Sequence, residues 1–118
     1  MDSLTIIKIE PLQEPKVITI GNSLAALQKL VGGYLEMVPL STDACMLINE
    51  EGIRLHLPPN RRFRSDVLLG NVLIVGRDGD EIVSLTPLQI QQYVEVFKTT
   101  EIVGPEEKRA SSPFGFLF

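Results

Sequence analysis

The chain has little of what catalytic sites are usually built from. It holds a single cysteine, Cys45, and a single histidine, His56. One cysteine excludes an internal disulfide and fits a reducing compartment. One histidine and one cysteine cannot by themselves form a zinc-type cluster within a chain. G-x-S-x-G, Walker A and G-x-G-x-x-G patterns are all missing, and no trio of nucleophile, base and orienting group is evident. No apolar run approaches the roughly 18–20 residues that span a bilayer. The opening MDSLTIIKIE has neither a basic start nor a long apolar stretch, so it does not read as a signal peptide. Positive charge is scarce too: 11 basic residues against 15 acidic ones give a net charge of −4. That balance opposes direct nucleic-acid binding, and the interspersed basic residues dilute the dense acidity of a DNA mimic. The expectation is a cytoplasmic, non-enzymatic protein with no cofactor and no membrane attachment.

What is present is a globular composition. With 44% hydrophobic and 22% charged residues in 118, the chain can bury one core without staples. Leu4 to Glu10 and Lys16 to Ile20 read as strands joined through PLQEP. GNSLAALQKLVGG predicts a helix, capped by Asn22 or Ser23 and ended at Gly32, with Leu24, Leu27, Leu30 and Val31 at helical spacing. YLEMVPL returns to strand character. ACMLIN and IRLHL flank EEG, which predicts a turn with Gly52 at positive φ. In Ile53 to Leu57 the alternation predicts a strand with Arg54 and His56 on one face. PPNRRFRSD then reads as a rigid loop, and NVLIV and EIVSL as a hairpin about Asp78-Gly79. Thr86, Pro87 and Gln89 predict a capping box opening a second helix, with Ile90, Val94 and Phe97 in its buried stripe beside Tyr93. The fold class is α+β: a mainly antiparallel sheet of about six strands with two short helices. The domain is placed at residues 1–103. The tail, 104–118, ends in PFGFLF and reads as docked on its own domain or on a neighbouring subunit.

Several residues invite a functional reading beside a plain one. His56 titrates near neutral pH, and Arg54, Arg61, Arg62 and Arg64 lie close in sequence. They suit a phosphate or carboxylate, or they are solvated surface. Gly33 is surplus to the helix cap and lets a ligand or another backbone approach. Tyr34 and Glu36 share a strand face, as a stacking ring beside an acceptor or as packing alone. Cys45 lies in an apolar run, as an inert buried thiol. RDGDE is explained by its hairpin rather than by metal binding.

Four blocks in order carry a resemblance: VGGYLE, NEEG, LPPN and GNVLIVG. The segment 17–76 resembles a small domain family of bacteriophages and mobile genetic elements with no assigned activity. Gly32, Gly33, Tyr34, Glu36, Asn49, Glu50, Glu51, Gly52, Pro59 and Asn60 match its blocks, whereas RRFR and the tail extend them. The resemblance implies a protein counteracting host defence, possible ligands being nucleotide-type immune signals. On that reading Tyr34 stacks on a base, and Glu36 with Asn49 or Asn60 reads its edge. Arg54, Arg61 or Arg62 then holds phosphates, and a pocket forms between subunits of a homo-oligomer. The alternative is a direct inhibitor of a host restriction or CRISPR effector, gripping it through the tail or an open sheet edge.

Overall fold

The structure is a computed structural model that describes residues 2–99. In chain order the elements are β1 (Ser3–Ile9), β2 (Lys16–Gly21), α1 (Leu24–Val31), β3 (Leu35–Ser41), β4 (Ala44–Asn49), β5 (Pro59–Phe63), β6 (Asp66–Leu69), β7 (Val72–Asp78), β8 (Glu81–Val83) and α2 (Pro87–Val96). Six strands form one antiparallel sheet in the order β2-β1-β7-β4-β3, with β8 on β7; β5 and β6 form a separate two-stranded sheet. The α+β class read from the sequence is the class observed.

Why the central strands lack clean alternation is plain from their surroundings. β1, β7 and β4 are covered on both faces, so inward and outward positions alike are apolar. On one face Leu4, Ile6, Cys45, Leu47, Leu73 and Val75 pack under Leu27 and Val31 of α1. On the other, Ile7, Ile9, Met46 and Ile74 pack against Leu68 of β6, Tyr93 of α2 and Phe97 at its C-cap. Full burial of each such side chain contributes about 1.5–3 kcal/mol. Both helices are therefore held by packing, with caps that fix their ends. Ser23 Oγ accepts from the Ala26 N–H at 3.1 Å, and Gly32 ends α1 at φ 84°. Thr86 and Gln89 form the reciprocal capping box of α2. No helix among the described residues is long and apolar enough to cross a membrane.

Two local expectations are corrected. Residues 50–56 form tight turns, not a strand: the Leu55 N–H donates to Glu51 O at 2.9 Å and the Leu57 N–H to Gly52 O at 3.0 Å. The alternation there had no core to face, since Ile53 and Leu55 are 65% and 43% exposed. Arg54 and His56 therefore share no strand face, and His56 sits at φ 56°. Gly52 is not among the glycines of positive φ. Packing explains it instead, because a Cβ there would stand 3.2 Å from Leu69 Cβ. The loop PPNRRFRSD is likewise mostly β5 and the turn into β6, with a register shift between Pro59 and Arg62.

Asn60 and Arg61 lie within that shift and are 0% and 2% exposed. Asn60 Nδ2 donates to Ile9 O at 2.9 Å and to Gly70 O at 2.7 Å. Its Oδ1 accepts from Arg61 Nη1 at 3.0 Å. Arg61 Nε and Nη2 both donate to Phe97 O, at 3.1 and 3.0 Å, and Nη2 also to Gln13 O. A guanidinium at the carboxyl end of α2 also complements the helix dipole. The pair ties the β5–β6 hairpin to β1, to the β6–β7 connection and to α2. The expected docking of the tail 104–118 falls outside the described residues.

Asn60→Ala leaves buried carbonyls without donors and is expected to lower stability by about 2–4 kcal/mol. Arg54→Ala, which removes an exposed ion pair, should change it by less than about 1 kcal/mol. Urea denaturation of the two variants checks the contrast; equal effects would overturn the assignment.

Candidate functional site

The hairpin lies over one end of the sheet and leaves a cleft of about 610 Å³. Its floor is Val38 of β3 and Ile48 of β4, and its wall is Phe63, Leu68 and Leu69 of the hairpin. The turn after β4 closes one end with Gly52 and Ile53. β3 is an edge strand of the sheet, where Glu36 pairs with Ile48 and Val38 with Met46 of β4.

Asn49 sets the position of the closing turn. Its Nδ2 donates to Val31 O at the end of α1, 3.1 Å away, and its Oδ1 accepts from the Glu51 N–H at 2.8 Å. The Glu50 N–H donates to Tyr34 O at 2.9 Å. Gly33 makes room for this arrangement, because a Cβ there would stand 2.9 Å from Asn49 Nδ2. The close approach read into the second glycine is thus made by the chain's own carboxamide.

Four carboxylates, Glu36, Glu50, Glu51 and Asp66, stand on the lining with one arginine, Arg54. Arg54 Nη2 donates to Glu51 Oε1 at 2.6 Å, so its charge is already answered. Burial pushes the Glu36 carboxyl above its ordinary pKa, and repulsion from Glu50 and then Asp66 adds to the rise. Burial alone raises Asp66. Among the described residues no group of three His, Cys, Asp or Glu could hold a metal ion. What the arrangement can do is receive a ligand with an apolar body and positive charge.

The site drawn from the sequence assembles only in part. Glu36, Asn49 and Arg54 line the cleft, though Asn49 is engaged by backbone and Arg54 by Glu51. Gly33 and Tyr34 precede β3; the Tyr34 ring, 67% exposed, is not on the lining. His56 and Arg62 are exposed and also outside it. Asn60 and Arg61 are corrected outright: both are buried and bonded internally, so neither faces a ligand. Phe63 and Asp66 were missed. Both sat in a segment read as loop, and Arg64, 4.6 Å over the Phe63 ring, drew attention to charge instead. Cys45 is buried as expected, and burial pushes its thiol up.

The family model for a domain of unknown function, DUF3846, matches residues 4–98, a span that takes in the sheet, the hairpin and both helices. No curated protein and no solved structure matches the chain.

A carboxyl whose pKa is higher in the folded than in the unfolded state stabilises the fold while protonated and costs stability as the pH rises through that window. Glu36→Gln is therefore expected to gain on the parent protein as the pH goes from about 4 to about 7.5. Denaturation midpoints at the two pH values check this; a pH-independent difference would overturn it.

Proposed function

The chain belongs to the DUF3846 family, and within it we propose a non-enzymatic binding protein that holds a segment of another protein in the cleft. The observation that carries this reading is an apolar floor and wall rimmed by four carboxylates against one paired arginine. Among the described residues the lining offers carboxylates but no hydroxyl, thiol, imidazole or amine as a nucleophile. Its size and composition suit buried side chains with a few polar contacts at the edge.

Of the two partners weighed from the sequence, a host protein fits the cleft better than a nucleotide-type signal. Phosphates entering beside Glu36, Glu50 and Asp66 would meet like charge. The arginines that were to hold phosphates are buried, paired or away from the cleft: Arg61, Arg54 and Arg62 in turn. In the phage or mobile-element setting that the sequence blocks resemble, the partner is a host defence protein, a restriction or CRISPR effector, met in the bacterial cytosol.

Ile53→Arg places a bulky charge at the end of the cleft from a position already exposed, so the fold should survive. In bacteria carrying an active restriction or CRISPR system, the parent protein is expected to restore plating of the targeted phage, and Ile53→Arg to abolish the effect. Thr19→Arg, on the far edge strand, should keep it. Full effect from Ile53→Arg, or calorimetric binding of cyclic oligonucleotides lost on changing Glu36, would sink the reading.

A further inference from the structure

Glu36, Glu50 and Asp66 make a local excess of negative charge at the edge of an apolar cleft, with Arg54 already committed to Glu51. Beside them runs the outer edge of β3. That strand pairs only with β4 among the described residues, so its other side presents unpaired backbone groups. Pro39 lies within β3, and a register shift follows it. A proline has no N–H to give, so a guest strand can pair with Leu35 to Val38 and not beyond.

The two faces of β3 differ in a way that specifies the guest. Glu36 and Val38 line the cleft. Met37 pairs with Leu47, which belongs to the opposite face under α1, and is 45% exposed. A guest strand alternates in the same manner. Its residue beside Glu36 meets carboxylates, and the one two positions away, beside Val38, meets the apolar wall. The residue between them lies against Met37 on the other face.

We propose that β3 and the cleft bind an extended segment of a partner protein that places a lysine or arginine among Glu36, Glu50 and Asp66 and an apolar side chain beside Val38. This rests on the binding reading above and names the chemistry of the occupant. The cation relieves repulsion among carboxylates that have no cationic partner among the described residues, and the backbone pairs along the free edge. A metal ion is a poorer occupant, because the carboxylates do not converge into a three-ligand group. A second copy of this chain is poorer still at this face, since it would bring acid against acid.

The test is a selection of random peptides of about 12 residues on the full chain, run in parallel on Glu36→Lys. Peptides selected on the parent protein should share a lysine or arginine two positions from an apolar residue. Those selected on Glu36→Lys should lose the basic residue or replace it with an acidic one. Norleucine in place of the basic residue should weaken the best peptide about tenfold, one charge-assisted contact. Peptides that bind, are blocked by Ile53→Arg, and yet tolerate norleucine within about twofold overturn the basic occupant and leave the cleft-binding reading standing. If no selected peptide responds to Ile53→Arg, both fall. Denaturation midpoints of Glu36→Lys and Ile53→Arg near that of the parent exclude unfolding as the cause.

Discussion

Everything that distinguishes this molecule from a plain covered sheet depends on the hydrogen bonds of one adjacent pair, Asn60 and Arg61. A two-stranded hairpin on its own is marginal in water. Here it is fastened at its bulge: the carboxamide satisfies carbonyls of β1 and of the β6–β7 connection, and the guanidinium those of Phe97 and Gln13. The guanidinium bonds are charge-assisted and stronger than neutral ones, and the buried carboxamide bonds are costly to break because they leave carbonyls unsatisfied. They fix the distance between hairpin and sheet, and that distance is the cleft.

The chemistry of the cleft follows from where the fold then places its acids. β3 contributes Glu36 beside the apolar floor, the turn held by Asn49 contributes Glu50 and Glu51, and the start of β6 contributes Asp66. Partial desolvation disfavours the anions of Glu36 and Asp66, and at Glu36 the nearby charges of Glu50 and Asp66 add to that cost. Such a mouth attracts positive charge at a distance and rewards it at contact. The apolar walls supply affinity that charge alone would lose to salt.

Local chemistry in the sequence spoke clearly, and long-range partnership did not. Thr86-Pro87 with Gln89, Gly32 after Val31 and Asp78-Gly79 each state a cap or turn within a few residues, and each is found where it was read. IRLHL misled because alternation reports a strand only when one face has a core to meet, and Ile53 and Leu55 have none. Arg61 misled because a guanidinium is seldom buried. Its backbone acceptors lie 36 and 48 residues away in sequence, so nothing near it announced them. The cleft inherits that obscurity: Glu36 was legible as a candidate, while Phe63 and Asp66 become neighbours of it only once the hairpin is docked.

The contact between Gly33 and Asn49 has a consequence for descent as well as for packing. A methyl group at 33 would collide with the carboxamide that positions the turn, and a smaller residue at 49 would remove the collision along with the turn's anchor. Neither position can change alone without loss. The two positions are therefore coupled, and a lineage that abandoned the glycine would have to rebuild the mouth of the cleft by other means.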